Sequence, residues 1–387
     1  MNPGFSNPAS KRGIRHFFQA LIAGCTLLLA SAGHAGPFVL AYTDGQVEAS
    51  YSNLQAFHRN LSAVGLGSTY GLTVTGQLHQ DGMNPTSENI IRFAQSKSLP
   101  LYPTVSDYNE GIADFDPAIS HSIVNDKTLS AGSIKQLVRL AKEGGFAGIN
   151  LDFEKVEPRN AKAFSAYVKA LGSALHASGK KLIISVPPKS SDREPEYLQG
   201  YDYKALGAAV DYFQVMTYDQ VGPGWSSGGF HDEVWPGPVS GADWQQALLS
   251  YAVSQVAPSK VLAGLPAYGQ DYSIGNRVHW SAYQEVMAEH RAVTHRDAAS
   301  ATPYATWGPV KSFADGVEWT PERAQPVLWY DDAASIKTKT ALVAKLGLGG
   351  TSVWAMGYEN AEFWTALQAG LNEGRALLPV GQEWEAD

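Results

Sequence analysis

The densest chemical signal in the chain lies in Gly148-Ile149-Asn150-Leu151-Asp152-Phe153-Glu154. Read as a strand, it sends alternate side chains to opposite faces. Ile149, Leu151 and Phe153 share one face; Asn150, Asp152 and Glu154 share the other with Gly148. Two carboxyls and an amide on one face of a covered strand are costly unless they are paired or put to use. Glu154 closes the run, with Asp152 about 6.6 Å behind it at strand spacing. Burial and a neighbouring like charge both raise a carboxyl's pKa, which lets it hold a proton near neutral pH and serve as a general acid. The bland alternative is a polar inner layer satisfied by adjacent strands. A one-sided row ending in Glu speaks against that reading more strongly than a lone acid would.

The elements that must position this row are legible as alternating apolar runs and helical patterns. The runs are Phe38–Tyr42, Tyr70–Thr75, Leu99–Val105, Gly145–Glu154, Lys181–Pro187, Tyr212–Tyr218, Val261–Pro266 and Gly349–Trp354. Between them lie segments such as Ser133–Lys142 and Asn160–Ala177, with apolar residues at three- and four-residue steps. Strands alternating with helices predict a parallel sheet covered on both faces. Eight such units predict a closed (β/α)8 TIM barrel. In that fold the polar face of Gly148–Glu154 points to the axis, and Glu154 stands at the C-terminal mouth where active sites are built. Asp271–Val327 is too long for a βα connection and is read as a small α+β insertion between strands seven and eight, with a helix over Ser281–His290.

Lys11, Arg12 and Arg15 precede an apolar stretch from Phe17 to Ala30 and a small-residue run ending at Ala35. This order predicts a secretory signal over residues 1–35, hence a secreted or periplasmic protein. The apolar stretch is too short for a spanning helix, which needs about 20 apolar residues, and no later segment qualifies. Cys25, the sole cysteine, is read as part of the leader, with a lipoprotein site there as the weaker alternative. The mature barrel is expected over residues 36–376, followed by an acidic tail at 377–387. The net charge of −8 becomes more negative once the leader's basic residues are gone, which makes nucleic acid a poor partner. Ten Trp and eighteen Tyr suit a neutral ligand such as a sugar, although most aromatics serve the core. No residue cluster marks a metal, and no cofactor is expected.

Ala147–Glu154 resembles the Asp-Gly-x-Asp-x-Asp-x-Glu signature of glycoside hydrolase family 18, the chitinase family. Gln214-Val215-Met216-Thr217-Tyr218-Asp219 is similar to the family's sixth-strand motif. Gly264–Gly269 is similar to its seventh, and Trp354 to the Trp ending its eighth. The resemblance implies a hydrolase acting on β-linked N-acetylglucosamine glycans by substrate-assisted, retaining catalysis. Glu154 would be the acid and base, and Asp152 would orient the 2-acetamido group that attacks the anomeric carbon. Tyr218 would hydrogen-bond that group, Asp219 would contact the same sugar, and Trp354 would floor the sugar ring. Met216, Tyr42 and Asn150 would complete the substrate-binding set.

The chain departs from the signature at two positions. Its first Asp is Ala147, and its middle Asp is Asn150, an amide that can donate a hydrogen bond but cannot titrate. Asn150 is expected to donate to Asp152 on the shared face. This version looks closer to the spore-cortex and di-N-acetylchitobiase branch, which leaves chitin oligosaccharides and peptidoglycan both open as substrates. Two rivals remain at this point: a weak or inactive glycan-binding protein on the same barrel, and a barrel enzyme using Asp152 and Glu154 as metal ligands.

Overall fold

The computed structural model describes residues 36–376 apart from 81, 193–195 and 227–233. The expected leader at 1–35, Cys25 and the tail at 377–387 lie outside the described residues. Eight strands form the barrel: β1 (Phe38–Asp44), β2 (Ala63–Leu72), β3 (Leu101–Ser106), β4 (Gly148–Asp152), β5 (Lys181–Val186), β6 (Tyr212–Val215), β7 (Val261–Pro266) and β8 (Gly350–Met356). Each pairs in parallel with its neighbours in the order β1-β8-β7-β6-β5-β4-β3-β2, and β1 pairs with β2 to close the ring. This is a (β/α)8 barrel. Several of the helices between the strands start where Asn or Asp can accept from free backbone amides. Asn84 caps Pro85–Ser96, Asp126 caps Lys127–Glu143 and Asp332 caps Ala333–Lys345. No helix among the described residues is long and apolar enough to cross a membrane.

The strand period sorts the core into two apolar populations. Ile149, Leu151 and Phe153 pack outward against Phe164, Tyr167 and Leu171 of the helix Ala161–His176. Leu40, Tyr42, Ala63, Tyr102, Ile183 and Leu262 fill the inside of the barrel, with Trp354 packed against them. Polar side chains occupy the upper interior, which is where the chemistry sits.

The second strand is displaced from its expected position at Tyr70–Thr75; it runs Ala63–Leu72. Gly65, Gly67 and Gly71 dilute the apolar pattern there. Gly65 leaves room for a ring, since a Cβ at that position would lie 2.4 Å from Tyr42 Cδ1. The pairing with β3 also shifts register between Leu66 and Tyr70, where Ser68 takes φ +52°.

Between β7 and β8 stands a five-stranded antiparallel sheet in the order Asn276–His279, Tyr268–Asp271, Val327–Trp329, Pro303–Thr306, Val293–Arg296. Its helix covers Tyr283–His290. The sheet begins at Tyr268, slightly before the expected Asp271, because the chain leaves β7 and enters the insertion with one intervening residue.

Candidate active site

A cavity of about 750 Å³ opens at the C-terminal ends of the barrel strands. Tyr42, Asp152, Glu154, Met216, Tyr218, Asp219 and Trp354 all line it. These side chains come from four different strand ends, β1, β4, β6 and β8, so their meeting is a product of the barrel.

Glu154 lies two residues past the end of β4, on a segment fastened from several sides. The Tyr201 hydroxyl donates to the Phe153 carbonyl at 2.8 Å and accepts from the Val156 amide at 3.2 Å. Ser120 Oγ donates to the Lys155 carbonyl at 3.3 Å, and Lys155 Nζ turns outward to Asp114 at 2.5 Å. The Glu154 amide donates to Asp107 Oδ1 at 3.0 Å. Holding an acid's backbone this way fixes where its carboxyl can reach, which is what proton transfer to a bound substrate requires.

The electrostatics favour a protonated Glu154. Burial pushes its pKa well above the ordinary carboxyl range; the charges of Asp152, Asp107 and Asp219 push the same way, and Arg277 opposes them. Burial likewise raises Asp152, whose Oδ1 is buried without a hydrogen-bond partner. The two carboxyls therefore compete for protons, and the pair resists full ionisation near neutral pH.

At the end of β6, Tyr218 fits because β7 offers a glycine beside it: a Cβ on Gly264 would lie 2.9 Å from Tyr218 Cε1 and 2.6 Å from the Val215 carbonyl. Asp219 takes φ +56°, a left-handed conformation uncommon outside glycine. Its two carboxylate oxygens are both engaged. Oδ1 accepts from the Tyr268 hydroxyl at 2.5 Å, and Oδ2 accepts from Arg277 Nη2 at 2.8 Å. The Arg277 guanidinium lies 4.7 Å over the Tyr268 ring. Opposite, Trp354 meets Tyr42 with ring centroids 5.9 Å apart, and a Cβ on Gly67 would come within 3.3 Å of the indole. Trp354 and Tyr42 thus present aromatic surface to the cavity.

Asn150 departs from expectation. It is fully buried and absent from the cavity wall, so its position does not serve substrate contact. Nor does it donate to Asp152. Its Nδ2 donates to Thr104 Oγ1 at 3.3 Å and Ser185 Oγ at 3.1 Å, and its Oδ1 accepts from the Tyr42 hydroxyl at 3.3 Å. The physical reason is lateral. Thr104 is Asn150's register partner on β3, and Ser185 stands on β5, so hydroxyls from both neighbouring strands reach its amide.

Sequence reasoning missed three participants. Asp107, just past β3, is fully buried against the Glu154 amide. Tyr268 and Arg277 come from the insertion and hold Asp219. The available signal was positional: Asp107 is the first residue after a barrel strand, where polar side chains gather.

The sequence profile of "Glycosyl hydrolases family 18" matches residues 113–359, well over half of the chain. The chain belongs to glycosyl hydrolase family 18. It is a chitinase-like glycoside hydrolase, and its relatives agree with that placement. A solved structure described as a class V chitinase from Pseudomonas fluorescens Pf-5 is 87% identical, covering 87% of this chain and 99% of that one, with a TM-score of 0.86. The uncharacterized glycosylase YvbX of Bacillus subtilis is 30% identical over 346 residues, 87% of this chain and 92% of that protein. The cortical fragment-lytic enzyme of the same organism is 24% identical over 340 residues, 86% of this chain and 74% of that protein. Asp107 lies outside the span the family profile matches.

Proposed function

We propose that this family 18 glycoside hydrolase cleaves β-1,4 linkages in N-acetylglucosamine oligosaccharides of the chitin type, by substrate-assisted catalysis with retention. We also propose that it acts outside the cytoplasm, the segment 1–35 serving as its export signal. The observation that carries the catalytic reading is the pairing at the end of β4: Glu154 and Asp152 both line the cavity, with one Asp152 oxygen buried and unpartnered, and burial raises the pKa of the acid.

In the first displacement Glu154 protonates the glycosidic oxygen while the substrate's own acetamido oxygen attacks the anomeric carbon. The C–O bond to the leaving sugar breaks and a cyclic, cationic intermediate forms. Asp152 accepts from the acetamido N–H and balances the charge; the Tyr218 hydroxyl donates to the acetamido oxygen. Glu154, now ionised, takes a proton from the water that attacks the anomeric carbon from the face the leaving group left. Two inversions give retention. The tie of Asp219 to Tyr268 and Arg277 supports this scheme, because both its oxygens are committed and neither is free to act as a nucleophile. Trp354 offers a floor for the sugar ring, with Met216 and Tyr42 beside it.

The 87%-identical chitinase structure favours chitin oligosaccharides over peptidoglycan. The test is a product profile on N-acetylglucosamine oligomers and on peptidoglycan side by side. Release of short N-acetylated products from the oligomers is expected, with slower or no release from peptidoglycan. Faster release from peptidoglycan would overturn the substrate assignment.

A further inference from the structure

The acid stands on the segment leaving β4, but the side chain that grips its amide comes from the neighbouring strand. Asp107 follows β3 directly and is fully buried. Its Oδ1 accepts from the Glu154 amide at 3.0 Å, while its Oδ2 is buried with no hydrogen-bond partner. Next to it, the register pairs Ser106 with Asp152, whose Oδ1 is buried and unpartnered as well. Asp107 does not line the cavity, so it does not touch substrate.

The groups that face this carboxyl leave its charge uncompensated. Asp152 and Glu154 come from β4, and Tyr201 follows β5. Farther across the cavity, Tyr42 comes from β1, and Tyr218 and Asp219 from the end of β6. Arg277 is the only Arg or Lys among the described residues lining the cavity, and it is paired with Asp219. Lys155 turns away to Asp114. Three carboxyls gathered without a free cation cannot all ionise near neutral pH, so they hold protons as a set.

We propose that Asp107 is a positioning residue for Glu154: it anchors the amide that sets the acid's reach, and it serves as the third member of a proton-sharing cluster with Asp152 and Glu154. The inference rests on the reading of Glu154 as the acid. Burial, reinforced by the Asp152 charge and opposed by the Glu154 amide, pushes Asp107 up to about 8, in keeping with a carboxyl that holds its proton. The cluster ends each cycle as it began, since the proton given to the leaving sugar is recovered from water.

Two variants of the full chain test this on a chromogenic N-acetylglucosamine oligomer across pH. Asp107→Asn keeps an oxygen to accept from the Glu154 amide but removes the titrating group. It should retain turnover within a few-fold at its optimum. The basic limb of its pH–rate profile should move down by about one pH unit, because wild-type Asp107 gains its charge as pH rises and then helps hold the proton on Glu154, which the amide cannot do. Asp107→Ala also releases the amide and should lower kcat by about ten-fold with KM little changed. Should the Ala variant fail to fold, the profile of the Asn variant decides alone. Superimposed profiles for Asp107→Asn and wild type would overturn the proposal. So would an Ala variant that loses melting temperature while its folded fraction keeps the wild-type kcat. Wild-type turnover is read first: its absence would sink the functional reading and this inference with it, whereas turnover with superimposed profiles sinks this inference alone.

Discussion

Asn150 and Asp152 stand two residues apart on one strand face, and the barrel treats them in opposite ways. Around Asn150 every polar atom is matched, with Tyr42, Thr104 and Ser185 closing a knot across β1, β3, β4 and β5. Around Asp152 and Asp107 each carboxyl keeps one buried oxygen with no partner. Satisfied buried polar groups rigidify a core, and unsatisfied ones cost stability unless something uses them. The comparison therefore separates scaffold from machinery at a resolution of one strand step. The lower knot ties neighbouring strands together, and the upper cluster is where we place the shared protons.

The largest effect is expected at the upper cluster. Glu154→Gln should cut turnover by about 10²–10⁴-fold while the fold and oligomer binding persist, since the amide keeps the shape and loses the acid. The same variant exposes the cost of storing charge there. In the folded chain Glu154 binds its proton more tightly than when unfolded, so between the two pKa values the native form carries more protons. Its contribution to stability is full below the unfolded value and is lost as pH rises through the folded one. Gln escapes this loss. The melting temperature of Glu154→Gln relative to wild type should climb with pH, and a constant difference from acid to alkaline conditions would refute the assignment.

A smaller and different effect is expected one step below. Asn150→Leu removes the bonds that tie Thr104 and Ser185 to β4 and leaves the Tyr42 hydroxyl only its contact with Ser185 Oγ, at a cost of about 1–3 kcal/mol for a group left unsatisfied. Chemical denaturation should register that loss at every pH. If Asn150→Leu instead shifts the pH–rate profile and leaves stability intact, the division between knot and cluster is wrong.

Much of this was readable in the sequence, for a definite reason. The row Asn150-Asp152-Glu154 and the segment Met216-Thr217-Tyr218-Asp219 are local patterns, and the strand period fixes which side chains share a face. Seven of the eight strands fall where apolar runs mark them, because barrel strands are covered on both faces. The exception, β2, is interrupted by glycines that exist to admit the Tyr42 and Trp354 rings, a requirement set by other strands. Asp107 and Arg277 were hidden for the same cause. Asp107 matters through the amide of a residue 47 positions away, and Arg277 through a carboxylate 58 positions away. The partners of Asn150 are likewise cross-strand, which is why the expected bond to Asp152 along its own strand gave way to Thr104 and Ser185.

The central claim is that the substrate supplies the nucleophile while Glu154 supplies the proton. It is tested most directly by hydrolysis rates on two oligomers that differ only at the cleaved sugar, one N-acetylated and one with a free 2-amine. The account predicts rapid cleavage of the acetylated oligomer and almost none of the amine, because the amine has no carbonyl oxygen to attack the anomeric carbon. Equal rates on the two would contradict it.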